Sequence, residues 1–497
     1  MMKDEKIIGN KPSFIIHPSF MNKSHWPMLV FITIISAVRL LTVGHFGLGV
    51  DEAHYVLYGL HPALSYFDHP PLVGWTEWCF TALFGVSEFA ARIPAVLVGA
   101  AATAMVYAWL LRLFDSKPLA FWGAAALNAS FLFNALFMML MPDTLLFLFL
   151  IPVMAVALRI EARNRTADWL LLGLLLGLSG LSKYTAVLFV AALVFYFAAR
   201  RRWDLFVTPK LLPAVLLAAA VISPVLIWNL QNGWISFAYQ SAHVSGAGGI
   251  SPTAFGQSLA AQFGAYSPFL FPVAFYGLYR ALRAPQSPAL FLSGIFGLVL
   301  IVFFTYNSLY ARALPHWTSP FYLLFIPIGT ALLLQKSRAW QRYVYAAVGV
   351  SAAITLLLYA ELRFAFNPFP DYKSVHRDLY GWDAIMRHAD AQITDPAREA
   401  AAVTNWSLAS RALYYGRPYP FETFLIDSRR DQFDLWETGS PLGKDLLFIT
   451  THDFRKDVNA SMRCGRVEPA ETFDLTLGGR KVNTVTLVWC RDFGGMR

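Results

Sequence analysis

The sequence has few charged residues. Asp, Glu, Lys and Arg make up 14% of its 497 residues and hydrophobic residues 57%, whereas soluble domains carry about 25% charged residues. This shortage excludes an ordinary soluble globular protein. The net charge is +9, but the sequence has neither a Gly-rich phosphate loop nor a basic stripe with interleaved aromatic residues. We therefore predict that nucleic acid is not a partner.

Cysteine is scarce as well. Only Cys79, Cys464 and Cys490 are present, and neither Cys-x-x-Cys nor His-Glu-x-x-His spacing occurs, so the sequence predicts no metal site. It makes no cofactor certain. A divalent cation remains an open alternative, because acidic residues are available to bind one.

Long apolar segments fill most of residues 27–360. Because a helix needs about 20 apolar residues to cross the hydrocarbon, we predict a polytopic α-helical membrane protein with about eleven or more transmembrane helices. The predicted spans lie near 27–47, 92–111, 118–134, 137–158, 168–181, 185–199, 211–229, 263–282, 289–305, 317–335 and 341–360.

The turns between these spans alternate in charge. One set is rich in Lys and Arg, as at 200–202, and the other set has almost none. By the positive-inside rule the basic set, with the N-terminal segment 1–26, is cytoplasmic. The outer side then holds loops 48–91, 134–143, 230–256 and 306–316 of the transmembrane domain 27–360, together with the tail 361–497.

Two of the predicted spans, 168–181 and 185–199, are short. The alternative is one long helix with Lys183 inside it, but that helix would place Arg200–Arg202 outside. We therefore predict two short or tilted helices that meet at Lys183 on the outer side.

The tail 361–497 has more charge and short β-like runs, such as 446–450 and 482–488, with a helix-like run at 407–415. It predicts a small external α/β domain. Cys464 and Cys490 both lie in it, so they are either a disulfide of an oxidising compartment or two buried thiols.

Ionisable groups on the outer side suggest a site, since charges within a membrane protein usually have a function. The acids Asp51, Glu52, Asp68 and Asp143 could supply a base for a hydroxyl acceptor. Cations on a side that otherwise excludes them are suited to an anion such as phosphate. Those cations are Lys183, Arg92 and Arg312, although Lys183 and Arg92 could instead pair with acids or reach the interface.

Six motifs carry a more specific resemblance. They are 49–55 (GVDEAHY), 66–72 (YFDHPPL), 91–96 (ARIPAV), 141–145 (MPDTL), 177–184 (GLSGLSKY) and 315–322 (PHWTSPFY). Together they resemble the C-type glycosyltransferase superfamily, which uses polyprenyl-phosphate sugars. The resemblance is closest to the bacterial branch that includes the aminoarabinose lipid A transferase, and protein O-mannosyltransferases are related.

The resemblance implies roles for individual residues. Asp51 is the expected general base or acceptor-orienting carboxylate, Asp143 is expected beside the same centre, and Glu52 is the third catalytic candidate, supporting Asp51 or the fold. Lys183, with Arg312 and Arg92, is expected to bind the donor phosphate. The expected substrate-binding residues are Tyr55, Asp68, His69 and His316.

These roles predict inverting transfer of a sugar from a polyprenyl-phosphate donor to lipid A, lipopolysaccharide core or another cell-envelope glycan. The protein should lie in the bacterial inner membrane, in contact with membrane lipids, with its site facing the periplasm. Aminoarabinose transferases tend to have a Lys where this chain has Asp68-His69, so sugar and acceptor stay open. A transporter or flippase of a lipid-linked precursor is the alternative, and a membrane scaffold is a third reading.

Overall fold

A computed structural model describes residues 25–245, 249–366, 376–436, 439–454 and 456–497. Nearly all of the predicted cytoplasmic segment 1–26, and part of the predicted loop 230–256, therefore lie outside the described residues. The helices are α1 Trp26–Val43, α2 Val50–Leu60, α3 Leu72–Phe84, α4 Glu88–Phe114, α5 Lys117–Ala129, α6 Phe131–Leu136, α7 Pro142–Arg163, α8 Thr166–Ser182, α9 Val187–Ala199, α10 Leu211–Gln231, α11 Ile235–Ser245, α12 Pro252–Ala265, α13 Phe271–Leu282, α14 Pro288–Ser308, α15 Ser319–Leu334, α16 Arg338–Phe364, α17 His376–Leu379, α18 Trp382–Gln392, α19 Trp406–Gly416 and α20 Val458–Ser461. The strands are β1 Glu399–Val403, β2 Thr423–Leu425, β3 Asp445–Thr451, β4 Met462–Leu477 and β5 Arg480–Met496.

The chain forms two compact units. The first unit contains residues 1–41, 64–73 and 92–357, and the second contains 42–63, 74–91 and 358–497. The second unit is therefore discontinuous, because it includes α2 and most of α3 in addition to the tail 361–497. The domain boundary predicted at residue 361 does not anticipate this inclusion of α2 and α3.

Long apolar helices dominate the first unit. Among the described residues of the whole chain, seven segments are long and apolar enough to cross a membrane, and α8 with the segment Tyr184–Ala199 is shorter. The prediction of a polytopic membrane protein is thus confirmed at this level. A close helix contact joins α8 to α10, where a Cβ on Gly173 would lie 2.2 Å from the carbonyl oxygen of Ala214. Only glycine permits this approach.

Three predicted spans have different bounds in the structure. The span predicted at 263–282 is wrong as a single helix, because the chain breaks between α12 and α13 at Ser267, whose φ is +74°. Pro268 follows, and proline disfavours helical geometry in the residue before it. The predicted start at 137 is also wrong, since α7 begins at Pro142, a residue suited to the first helical turn. The span predicted at 118–134 is divided at Ser130 between α5 and α6.

The prediction of two helices around Lys183 is confirmed. The α8 helix ends at Ser182, and a single 3-10 turn, Tyr184–Ala186, precedes α9. Lys183 itself has extended backbone angles, φ −156° and ψ 141°, so it interrupts the helical path. Two segments predicted as outer loops are largely helical: 48–91 contains α2, α3 and the start of α4, and 230–256 contains α11.

A five-stranded sheet of order β2-β1-β3-β5-β4 organises the second unit. The strands β2, β1 and β3 are parallel, and β5 is antiparallel to both β3 and β4. Cys464 on β4 and Cys490 on β5 form a disulfide with Cα atoms 5.3 Å apart. Of the two alternatives, a disulfide or two buried thiols, the structure therefore has the disulfide. The predicted helix at 407–415 is α19, whose N-cap Asn405 accepts a hydrogen bond from the Leu408 amide at 3.0 Å.

The α2 helix packs against α19 within the second unit. The Tyr415 hydroxyl accepts a hydrogen bond from the Leu48 amide at 2.8 Å. A Cβ on Gly47 would lie 2.5 Å from the Leu379 carbonyl oxygen, so the backbone before α2 fits only with glycine there. The GVDEAHY motif is in this way an integral part of the α/β unit.

Candidate active site

Asp143 and Lys183 form a buried ion pair in the first unit. The Lys183 Nζ lies 2.5 Å from each carboxylate oxygen of Asp143. The exposed fractions of Lys183 and Asp143 are 7% and 2%. Removing an ion from water costs several kcal/mol, so each charge requires the other.

Local sequence positions both members of the pair. Asp143 lies in the first turn of α7, where the helix dipole stabilises a negative charge. Lys183 follows the last residue of α8, and its extended backbone points it out of the helical path. The Ser182 hydroxyl donates to the Pro142 carbonyl at 2.9 Å, which ties the end of α8 to the start of α7. The pair is therefore held by the ends of two helices.

Two of the predicted substrate-binding residues lie near this pair. His316, in the turn Pro315–Thr318, interacts electrostatically with Asp143, Lys183 and His69. The structure thus brings together four of the residues that the sequence singled out, from four separate motifs. They form a cluster with one fixed anion, one fixed cation and two imidazoles.

The turn that contains Asp68 and His69 is held by α11. The Gln240 side-chain amide donates to the Asp68 carbonyl at 2.7 Å, and the Ser236 hydroxyl donates to the Tyr66 carbonyl at 2.9 Å. Within the turn, the Tyr66 amide donates to the His69 carbonyl at 3.2 Å. The side chains of Asp68 and His69 remain partly exposed, although the Nδ1 atom of His69 is buried.

The two predicted phosphate-binding arginines differ in their surroundings. Arg92 is fully buried, with an exposed fraction of 0%. Arg312 is exposed on the segment that follows α14. Within the described residues, no hydrogen bond or ion pair joins Arg312 to the Asp143–Lys183 cluster.

The predicted residues of the DEAHY motif lie in the second unit. Asp51 occupies the first turn of α2 and is partly exposed. Glu52 is buried and accepts a hydrogen bond from the Gly49 amide at 3.0 Å, which is the reciprocal half of a capping box. Tyr55 is buried, with its ring 5.7 Å from that of Tyr58. Asp51 is therefore the member of this motif with an accessible carboxylate, while Glu52 stabilises the start of the helix.

Sequence reasoning missed two buried polar residues. Tyr266 is fully buried in the first unit, interacts electrostatically with Asp143 and donates to the Pro315 carbonyl at 2.8 Å. In the second unit, burial raises the pKa of the Asp431 carboxyl to about 6. The only signal for Asp431 is its place in the charged and aromatic segment 430–436, and for Tyr266 the sequence has none.

An apolar cavity of about 670 Å³ opens between α8, α9 and α10 of the first unit. Its wall includes Tyr184, the residue next to Lys183, and Phe237 of α11, whose ring lies 5.5 Å from that of Tyr184. The rest of the wall is almost entirely aliphatic and aromatic, such as Leu176, Val190 and Ile222. A long hydrocarbon chain suits such a cavity better than a polar ligand does.

The described residues contain no group of three or more His, Cys, Asp or Glu side chains with the arrangement of a metal site. The cluster itself supplies a carboxylate, an ammonium and two imidazoles. An ammonium in a poorly solvated place can stabilise a phosphate oxygen, and a carboxylate can accept a proton.

Comparison with known proteins agrees with these features. Residues 68–228 match the family described as dolichyl-phosphate-mannose-protein mannosyltransferase. Lipid A galacturonosyltransferase RgtD of Rhizobium johnstonii is 26% identical over 370 residues, which cover 71% of this chain and 72% of that protein.

Two solved structures are similar in fold. ArnT from Cupriavidus metallidurans in the apo state has a TM-score of 0.65 at 16% identity, covering 93% of this chain and 98% of that one. The same protein bound to undecaprenyl phosphate has a TM-score of 0.64 at 16% identity, covering 94% and 98%.

Proposed function

We propose a donor and an acceptor class for this chain, which is a membrane glycosyltransferase of the C-type fold related to ArnT. The donor is a sugar linked to a polyprenyl phosphate, and the acceptor is a hydroxyl group of lipid A or of a glycan attached to it. The observation that carries the proposal is the buried Asp143–Lys183 pair together with an apolar cavity whose wall includes Tyr184, the residue that follows Lys183. The relatives that resemble this chain are transferases, and none of them supports the transporter alternative.

The cavity suits the lipid part of such a donor. Its volume of about 670 Å³ is bounded by side chains of α8, α9 and α10, and Tyr184 connects it to the position of Lys183. A polyprenyl chain in the cavity would leave its phosphate at the polar end. The structure of ArnT with undecaprenyl phosphate supports this donor class by similarity of fold.

Lys183 is the proposed phosphate ligand. An ammonium has three N–H donors, and the two Asp143 oxygens account for two of them. The third can be directed at a phosphate oxygen. Asp143 keeps the ammonium charged and oriented in a place with little water, and in this role it is a positioning residue.

The proposed reaction is a single displacement. The oxygen of the acceptor hydroxyl attacks the anomeric carbon of the donor sugar, and the bond from that carbon to the phosphate oxygen breaks. The bonding electron pair leaves with the polyprenyl phosphate, and the hydroxyl proton passes to a carboxylate, for which Asp51 is proposed. Attack from the face opposite the phosphate inverts the configuration. Lys183 accelerates the step because negative charge on the phosphate increases as the bond breaks.

The site is proposed to face the periplasmic side of the inner membrane. The Arg-rich turn 159–165 includes the end of α7 and leads to the start of α8, opposite the helix ends at Asp143 and Lys183, and the basic turn 200–202 follows α9. The positive-inside rule places those turns in the cytoplasm. On the opposite side no nucleotide sugar is available, which explains the need for a lipid-linked donor.

Turnover of purified variants tests the proposal. The substrates are radiolabelled undecaprenyl-phosphate sugars, supplied as a panel, with lipid A as acceptor. In the folded, monodisperse fraction, Lys183→Ala should lower turnover by about 10²–10³-fold, the loss typical of a removed oxyanion donor. Lys336→Ala is the matched control, because Lys336 is exposed and lies in a basic turn.

Lys183→Arg should recover only part of the activity, since a planar fork does not replace a point charge. Unchanged donor affinity and turnover in Lys183→Ala would refute the assignment of Lys183. Absence of transfer from every polyprenyl-phosphate sugar in the panel would refute the donor class.

A further inference from the structure

The second unit contains a pocket that the proposed reaction does not use. Its volume is about 380 Å³, within the range of small-molecule sites. The pocket is bounded by the end of α2, by the segment that leads into β2, and by residues 433–436. Because β2 is an edge strand of the sheet, the pocket lies at the border of the α/β fold and is open on one side.

Aromatic rings form two flat faces in this pocket. The His61 ring is stacked on that of Trp436, with centroids 4.9 Å apart and an angle of 28°. The Tyr419 ring is stacked on that of Phe421, with centroids 5.7 Å apart and an angle of 12°. His61 is exposed, and Tyr419 and Trp436 are partly exposed. Exposed aromatic faces of this kind are suited to the C–H face of a pyranose ring, which is flat and apolar.

Polar groups surround these faces and are held in place by their own partners. The Glu422 carboxylate bonds the Lys444 ammonium at 2.5 Å. The Asp434 carboxylate accepts a hydrogen bond from the Asp431 amide at 2.6 Å. Each carboxylate keeps further lone pairs for ligand hydroxyls, since an ionised carboxylate has about four acceptor positions.

The charge of the pocket indicates what kind of ligand it accepts. The lining contains two carboxylates, Glu422 and Asp434, and one guanidinium, that of Arg417, and the Lys444 ammonium neutralises Glu422. The Arg417 Nε already donates to the Tyr414 carbonyl at 2.7 Å, and its guanidinium covers the Tyr414 ring. Partial burial lowers the pKa of His61, so this ring is mostly neutral at pH 7. A pocket whose carboxylates are balanced in this way has no surplus cation for a phosphate, and its remaining hydrogen-bonding capacity suits an uncharged polyhydroxylated ligand.

We propose that this pocket binds a neutral sugar unit of the acceptor glycan. That the sugar belongs to the acceptor glycan rests on the proposed function. The preference of the pocket for a neutral sugar does not depend on it. The pocket is separate from Asp51: Asp51 begins α2 and His61 caps its other end, and a helix of 11 residues is about 16 Å long. A glycan held at His61 would therefore be anchored at a distance from the proposed base.

Binding of a defined saccharide by the full-length protein in nanodiscs tests the proposal. The probe is the oligosaccharide released from lipopolysaccharide by mild acid, dephosphorylated with hydrogen fluoride and reduced at its carboxyl groups so that it carries no charge. Its binding is observed by saturation-transfer NMR and titration. Wild-type protein should bind this probe. It should bind the phosphorylated form of the oligosaccharide no more tightly. Tyr419→Ala, Glu422→Gln and Asp434→Asn should each weaken binding about tenfold, as expected when a charge-assisted hydrogen bond or a stacking face worth about 1–2 kcal/mol is lost. Tyr279→Ala, at an exposed tyrosine of the first unit, is the matched control.

The kinetic readout separates this site from the reaction itself. With a glycan-bearing acceptor, Glu422→Gln should raise the acceptor KM about tenfold and leave kcat unchanged, because the pocket contributes binding in the ground state and the transition state alike. Failure of the wild type to bind the neutral probe would overturn the proposal, and so would equal binding by all three pocket variants or preference for the phosphorylated probe. If only the proposed function is wrong, the wild type still binds the probe and the pocket variants still lose that binding, but no sugar is transferred. If only the pocket proposal is wrong, sugar is transferred although the probe does not bind.

Discussion

Replacing Lys183 alone should destabilise the first unit as well as impair transfer. In the Lys183→Ala variant the Asp143 carboxylate stays buried, with an exposed fraction of 2%, and loses the ammonium 2.5 Å away. Removing one partner of a buried ion pair typically costs about 3–5 kcal/mol. That is a large part of the 5–15 kcal/mol by which native proteins are stable. From the sequence, Lys183 could be taken for an interfacial anchor whose removal leaves the fold intact; the ion pair changes that expectation.

A double replacement separates stability from activity. Lys183→Met with Asp143→Leu removes both charges and fills their space with apolar groups, an exchange that is often neutral or stabilising in other proteins. Its melting temperature in detergent should lie close to that of the wild type and above that of Lys183→Ala and of Asp143→Leu alone. Its transfer activity should remain as low as that of Lys183→Ala.

The melting temperatures decide whether this reasoning is correct. The wild type, Lys183→Met, Asp143→Leu and the double variant form a double-mutant cycle, which isolates the interaction between the two side chains. A Lys183→Ala variant as stable as the wild type would mean that the Asp143 carboxylate is not left uncompensated, and the reasoning from burial would fail. A double variant with full transfer activity would instead refute the role of the pair in the reaction.

Four further predictions concern other parts of the chain. Asp51→Asn keeps the shape of the side chain and removes the proposed base, so transfer measured with purified protein should fall about 10²–10⁴-fold; a wild-type rate would show that Asp51 is not the base. Burial raises the pKa of Asp431 to about 6, so the stability that the protonated Asp431 carboxyl contributes is present at low pH and is lost as pH rises through about 6. Asp431→Asn should therefore raise the melting temperature at pH 8 more than at pH 5, and equal shifts at the two pH values would contradict this. Reduction of the Cys464–Cys490 disulfide, which closes a loop with a sequence separation of 26, should cost about 3 kcal/mol, and mass mapping without reductant should find both residues linked. A reporter fused after Glu361 should give a periplasmic signal, and a cytoplasmic one would reverse the proposed orientation of the site.

Much of the membrane unit follows from apolar length and charge alternation. The two helices around Lys183 could be predicted because a single helix would have moved Arg200–Arg202 to the wrong side. The break at Ser267 could not, since apolar composition continues through it and only Pro268 indicates a change of direction. Hydropathy measures transfer from water and contains no information on backbone geometry.

The candidate site was predictable residue by residue but not as an arrangement. Asp143 and Lys183 were selected as charges on the outer side, yet their contact depends on the packing of α7 against α8, which a sequence pattern does not determine. Glu52 illustrates a different limit, because a carboxylate in a helix-capping box has the same sequence context as one in a catalytic pair. The pocket around Tyr419 was missed entirely, because its walls come from segments far apart in the chain.

The discontinuous second unit has a consequence for biosynthesis. The α2 helix ends at Leu60, but α19, against which it packs, begins at Trp406. At about 5–20 residues per second of synthesis, α2 waits roughly 20–70 s for its partner. During that interval its apolar residues, such as Ala53 and Val56, which are fully buried in the finished protein, have no native surface to cover them. A ribosome that stops before residue 406 therefore releases a chain whose membrane helices can be in place while its DEAHY segment has nothing to fold against, and such a fragment should be a substrate for envelope proteases.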